Sequence, residues 1–191
     1  MSGEVLIEAQ AVGAMRGERL LFRDLDLDVR AGETVLLRGA NGSGKTTLLR
    51  QLAGLSEVAT GVIARSAGQH WLGHTNGLKA HETPRTHLRH WARVWGSDVD
   101  IDGVLERMAM TRPADVPCRM LSAGQKRRTA LGRLLLVERP LWLLDEPFNA
   151  LDAAGRDLLA GMIEAHCDLN GAVIAALHGD TPVAASREVV L

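Results

Sequence analysis

The chain has 191 residues, with 46% hydrophobic and 24% charged side chains, enough for one globular core without metal or disulfide staples. A formal net charge of -1 excludes both a global basic field for nucleic acid and the acidic excess of a disordered chain. No apolar stretch approaches the ~20 residues of a membrane span, and Met1 to Gln10 lacks a basic region followed by an apolar run, so neither a span nor a signal peptide is expected. Cys118 and Cys167 form no CxxC pair and match no zinc spacing, which leaves them as small hydrophobes in a reducing compartment.

In chain order, Val5 to Glu8 is short and β-prone, and Leu25 to Val29 alternates strictly, as a strand with one wet face does. After a turn at Ala31-Gly32-Glu33, the continuous apolar run Thr34 to Leu37 predicts a strand buried on both faces. A glycine-rich loop, Gly39 to Lys45, then leads into a helix over Thr46 to Ala53 that Gly54 stops. The stretch from about Gly77 to Leu121 changes character. Thr83-Pro84 predicts a helix start, Leu88, Trp91 and Trp95 recur at helical spacing, and Ile101 to Met108 predicts a second short helix. This reads as a helical lobe inserted between α/β halves. A basic-faced helix over Gly124 to Glu138 follows, then a buried strand, Leu141 to Leu144, an amphipathic helix around Leu158 to Ile163, and a last buried strand, Ala172 to Leu177. Strands alternating with helices imply a mainly parallel sheet, whose sites lie at the carboxyl ends of its strands. Gly39, Asp145 and His178 all fall just beyond such ends.

Gly39-Ala40-Asn41-Gly42-Ser43-Gly44-Lys45-Thr46 matches GxxxxGK[ST] in full, between a buried strand and a helix. Glycines let backbone N–H groups turn inward around phosphate oxygens, and the helix N-terminus adds partial positive charge. Lys45 can reach the β- and γ-phosphates and the Thr46 hydroxyl can ligate Mg²⁺, but the motif alone does not separate ATPases from GTPases or kinases. Asp145-Glu146 sets two carboxylates at the end of a hydrophobic strand. Magnesium needs hard oxygen ligands, which suits Asp145, and Glu146 is then available to orient and deprotonate a water.

With these motifs, Leu121-Ser122-Ala123-Gly124-Gln125 resembles the signature of the ATP-binding cassette (ABC) family, Ala150-Leu151-Asp152 its D-loop and His178 its switch histidine. The resemblance covers nearly the whole chain. It implies an α/β P-loop NTPase, a mainly parallel sheet core with an antiparallel β edge and an inserted helical lobe. That is one nucleotide-binding domain over 1–191, with core 1–76 and 122–191 and lobe 77–121. The implied cofactors are ATP and Mg²⁺. The nucleotide would be held by Gly39, Ala40, Asn41, Gly42, Ser43, Gly44, Lys45, Thr46 and Thr47, and by Ser122 and Gly124 acting on the nucleotide of a second copy. Thr46 and Asp145 would hold the metal, and Glu146, His178 and Lys45 would be catalytic. Ser122 also reads as a helix N-cap, which is compatible with phosphate binding.

Gly73-His74 with Gly77-Leu78-Lys79, then Leu121 to Arg128, then Arg139 to Phe148 are similar to the ATP-binding protein of bacterial cytochrome c maturation systems. That likeness implies a homodimer working with integral membrane subunits at the cytoplasmic face of the inner membrane, without nucleic acid and without a span of its own. Its hydrolysis of ATP would drive release of a haem-loaded chaperone. An ATP-gated assembly module and the ATPase of another small exporter are the alternatives. The chain departs from the family where Thr75 replaces a Gln after the Gly-His pair, too short for the same reach unless a water bridges, and where Arg16 replaces an adenine-stacking aromatic. His81, His87 and His90 stand near Trp91 and Trp95. With no CxxCH, His87 and His90 are expected on a solvated or partner-facing helix rather than as haem or metal ligands.

Overall fold

The structure, a computed structural model, describes residues 3–179 and 181–191. The chain divides into two compact units, one of residues 1–73, 139–147 and 160–191, the other of residues 74–138 and 148–159.

The first unit holds both sheets. Strands β1 (Val5–Arg16), β2 (Arg19–Arg30) and β4 (Thr60–Arg65) form an antiparallel sheet in the order β2-β1-β4. Strands β3 (Thr34–Arg38), β5 (Gln69–Leu72), β6 (Leu141–Asp145), β7 (Ala172–Ala176) and β8 (Arg187–Val190) form a parallel sheet in the order β5-β6-β7-β3-β8. All residues of β6 and β7 are buried, as their unbroken apolar runs require of central parallel strands. Helix α1 (Lys45–Leu52) lays Leu48, Leu49 and Leu52 into a core shared with Val35, Leu37, Leu143 and Ile174. β1 runs well beyond the short stretch that its sequence pattern suggests. Register shifts and a left-handed residue at Ala11 (φ 47°) break its alternation, and the Ala11 N–H leaves the ladder to donate to Asp26 Oδ1 at 2.7 Å.

The second unit contains α2 (Pro84–Val94), α3 (Ile101–Arg107) and α4 (Ala123–Leu131). Thr83 caps α2 in a reciprocal capping box with Thr86, and Asp100 caps α3 through the N–H groups of Asp102 and Gly103. The helix expected to run on to Glu138 stops at Leu131, and Gly132–Leu135 tightens into a 3₁₀ turn. Gly132 packs where a Cβ would stand 3.1 Å from Leu88 Cδ2, so the glycine that breaks the helix also admits its neighbour. Helix α5 (Ala153–Asp168) follows, its residues from Ala160 onward belonging to the first unit.

The histidines of α2 depart from expectation. His90 is exposed, but His87 is only 2% exposed, with Nδ1 3.4 Å from Glu82 Oε2 and Nε2 buried without a hydrogen-bond partner. His87 therefore belongs to the core side of α2, beside Leu88 and Ala92, rather than to a solvated face. Burial, then the charge of Arg133, pushes its pKa down from 6.5 to about 4 against the pull of Glu82. In the window from 6.5 down to 4 the unfolded chain binds a proton that the folded chain refuses, so stability is fully present above 6.5 and is lost as pH falls. Complete loss of this contribution would cost about 3 kcal/mol. Chemical denaturation at pH 7 and pH 5 should therefore show a marked acid loss in the parent chain and a flatter response in His87→Leu. Equal losses in both would refute the assignment.

Candidate functional site

The carboxyl ends of β3, β6 and β7 carry the polar residues expected there, all in the first unit. Between β3 and α1 the loop turns on Gly39, Gly42 and Gly44, at φ 137°, 78° and 112°, a region that costs side-chain-bearing residues dearly. A Cβ on Gly39 would stand 2.4 Å from the Leu191 carbonyl oxygen, and one on Gly44 2.9 Å from the Phe22 ring. Ala40, Asn41 and Gly42 are exposed, and no side chain caps α1, so its first N–H groups are left for an anion. Ser43 Oγ is buried without a hydrogen-bond partner in the same loop. An orphaned hydroxyl and an uncapped helix start within a glycine cradle fit a polyphosphate.

Lys45 is 6% exposed, its Nζ donating to the carbonyls of Gly39 (2.7 Å) and Ala40 (3.1 Å). Burial lowers its pKa, opposed by the negative charges of Glu146 and Asp145. The Thr46 hydroxyl donates to Asp145, 3.0 Å from each carboxylate oxygen, and Asp145 is 1% exposed at the end of β6. One carboxylate and one hydroxyl so placed can hold Mg²⁺ in company with phosphate oxygens and water, the sharing that ion prefers. Thr47 follows, in the first turn of α1. Glu146 adopts a left-handed backbone (φ 47°) fixed by its N–H donating to Ala176 O at 3.0 Å. That conformation turns its side chain to within 3.4 Å of His178 Nε2, with both groups partly open to solvent. Lys45, Thr46, Asp145, Glu146 and His178 thus gather around one loop. Strain at a carboxylate beside a buried Asp is the kind of feature that binding sites retain.

In the second unit Ser122 caps α4. Its Oγ accepts from Gln125 N at 3.2 Å, and its own N–H donates to Gln125 Oε1 at 3.0 Å. Gly124 has no room for a side chain, because a Cβ would stand 2.9 Å from the Ala150 carbonyl oxygen. Ala150 is left-handed (φ 64°), and Asp152 pairs with Arg128 while accepting from Gly155 N at 2.9 Å. The Gly155 N–H, with Arg128 beside it, holds the Asp152 carboxyl below its usual range. The 150–152 segment is thereby tied to the second turn of α4. Sequence reasoning misses this link, although an arginine on α4 and an aspartate after the strand are its two visible halves.

Thr75 is exposed. Its neighbour Asn76 accepts from the buried Arg127 through Oδ1 at 3.2 Å, so that side chain is engaged with α4. Arg16 is exposed at the end of β1, paired across the hairpin with Arg19. Among the described residues no group of three or more His, Cys, Asp or Glu is placed to hold a metal.

Residues 22–149 match the sequence profile of the ABC transporter family. A cytochrome c biogenesis ATP-binding export protein CcmA from Hyphomonas neptunium is 54% identical over 186 residues, covering 97% of this chain and 96% of that protein. The protein of the same name from Vibrio cholerae is 40% identical over 190 residues, covering 92% of each. Among solved structures, an ABC transporter ATP-binding protein from Pyrococcus furiosus superposes with a TM-score of 0.84 over 97% of this chain and 96% of its own, at 19% identity, a likeness of fold. The ATP-binding subunit of another ABC transporter gives 0.81 over 91% of this chain and 79% of its own, at 23% identity. A profile spanning most of the sequence, with relatives aligned almost end to end, places the chain in the ABC transporter family, among its cytochrome c biogenesis ATP-binding export proteins.

Proposed function

We propose that this chain is the ATPase of a cytochrome c maturation complex, a translocase-class subunit that turns ATP and water into ADP and phosphate. The supporting observation is the convergence of Lys45, Thr46, Asp145, Glu146 and His178 at one glycine loop, in a chain 54% identical to a cytochrome c biogenesis export protein. Backbone N–H groups of Gly39 to Thr47 and the Lys45 ammonium bind the phosphates. Thr46 and Asp145 would hold Mg²⁺, which would supply positive charge against the phosphate oxygens. Glu146 takes a proton from the attacking water as its oxygen bonds to the γ-phosphorus and the bridging oxygen departs with ADP. His178 donates to a γ-phosphate oxygen and keeps Glu146 and the water aligned.

Ser122 and Gly124 act on the nucleotide of a second copy, so two chains clamp two ATP molecules head to tail. The lobe over 77–121 would meet integral membrane subunits, the core being 1–76 and 122–191, with the chain at the cytoplasmic face of the inner membrane. Among the described residues no helix is long and apolar enough to cross a membrane. The work performed would be release of a haem-loaded chaperone.

The test is a deletion strain scored for covalent haem in c-type cytochromes. Loss of that haem, restored by the parent sequence, is expected. Normal cytochromes in the deletion would assign the chain to another exporter.

A further inference from the structure

Arg38 is the last residue of β3, immediately before the phosphate loop, and it ends a run of four buried residues. A guanidinium there must be desolvated in part, and its side chain is only 23% exposed. Glu188 on β8 offsets that cost, one carboxylate oxygen accepting from Arg38 Nε at 3.2 Å and lying 3.1 Å from Nη2. The register explains the pairing. Leu36 lies opposite Glu188, so Arg38, two residues on, shares its face of the sheet. The remaining nitrogen, Nη1, donates to the carbonyl oxygen of Gly179.

Gly179 follows His178. The last strand bond before them is Leu177 N–H to Leu37 O at 3.2 Å, and Gly179 then turns the chain at φ 70°. His178 therefore sits between two anchors, both on β3: a backbone bond to Leu37 and the Arg38 side chain.

We propose that Arg38 is a positioning residue for His178: by gripping the Gly179 carbonyl, and braced by Glu188, it keeps the His178 ring in register with Glu146 and with the phosphate loop that begins one residue later. Its guanidinium is committed to Glu188 and Gly179, so it acts through the histidine rather than on phosphate. The inference rests on the role given to His178 above. Without the arginine, the 177–179 turn keeps, among the described residues, the Leu177 bond to β3. A ring held 3.4 Å from Glu146 then drifts, and misplacement by about 1 Å can cost up to about 100-fold in rate.

The experiment measures steady-state ATP hydrolysis and nucleotide-analogue binding in the assembled complex for the parent, R38A, R38K, E188Q, H178A and R38A/H178A. R38A should lower kcat about tenfold, well inside the range a small misplacement allows, with KM for ATP and analogue affinity unchanged. R38K should recover part of that loss, since an ammonium can reach one of the two partners but not both. E188Q, which leaves Arg38 in place, should show a smaller kcat loss. Added to H178A, R38A should cost nothing further, the non-additivity of two residues acting through one step.

Parental kcat in R38A beside a slow H178A overturns the inference alone, as does a loss that multiplies with that of H178A. Weakened analogue binding in R38A also overturns it, because that marks a phosphate contact. Parental turnover in H178A removes the role of the histidine itself, and the inference with it. Should R38A fail to fold, the comparison of E188Q with E188Q/H178A carries the same test.

Discussion

Glu146→Gln should bind ATP, lose about 100- to 10,000-fold in turnover, the usual weight of a general base, and accumulate as a nucleotide-bound dimer. The amide keeps the size of the carboxylate and the Glu146 N–H bond to Ala176 O, so the strained turn and Asp145 behind it are preserved. What disappears is the acceptor for the proton of water, and the charge that faces His178 Nε2 at 3.4 Å. The charge also supports Lys45, whose protonated form is favoured by Glu146 and Asp145. Its removal changes ground-state binding modestly while the chemical step stalls. If hydrolysis is what lets two copies part, the stalled variant stays paired. Size-exclusion chromatography with ATP and Mg²⁺ reads the dimer, and phosphate release reads turnover. Phosphate release at the parental rate would remove Glu146 from the mechanism. A slow variant that remains monomeric would leave the chemistry and remove the clamp.

The parts of the fold readable in advance are those where one physical signal dominates. β3, β6 and β7 are unbroken apolar runs because both of their faces are covered, and α2 carries its own start in Thr83-Pro84. β4, β5 and β8 carry no such signal. β4 is an edge strand with most of its residues exposed. β5 and β8 are four residues each, too short for a period to show, and gain their strand character from neighbours remote in sequence. The misassignment of His87 has the same root. Spacing places it beside His90, but which side of α2 turns inward depends on Leu88 and Ala92 packing within the second unit, a tertiary fact.

The candidate site divides along a similar line. Gly39 to Thr46 and Asp145-Glu146 are legible because phosphate and metal chemistry favour those residue types at strand ends, whereas His178 is singled out only by the family resemblance; the structure places the five polar groups around one loop. The residues that brace them are not. Arg38 in the sequence is only a charged residue after an apolar run, and its partners Gly179 and Glu188 lie more than a hundred residues away. The Arg127 bond to Asn76 likewise spans the helical stretch, and changes the meaning of the departure at Thr75. The neighbour that has the reach of an amide is already held by α4.

Lys45→Ala should lose both nucleotide affinity and turnover, and should fail to restore covalent haem in the deletion strain. In the parent the ammonium is 6% exposed and donates to the Gly39 and Ala40 carbonyls, so it is already oriented within the loop where phosphate would lie. Truncation removes a charge-assisted hydrogen bond worth about 1.5–3 kcal/mol, roughly 10- to 100-fold in ATP affinity. It also removes a positive charge that Asp145 and Glu146 face, so a polyphosphate entering beside two carboxylates would meet more repulsion. The turnover loss should exceed the affinity loss, since a donor aimed at developing charge counts for about 100- to 1,000-fold in the chemical step alone. Equilibrium binding of a fluorescent ATP analogue and single-turnover hydrolysis separate the two effects. Lys45→Arg should bind better than Lys45→Ala and still turn over slowly, because a planar guanidinium cannot occupy the compact ammonium position between two carbonyls. Parental affinity in Lys45→Ala would mean that the glycine cradle and the amides of α1 hold the phosphates unaided, and that the buried lysine serves only to close its own loop.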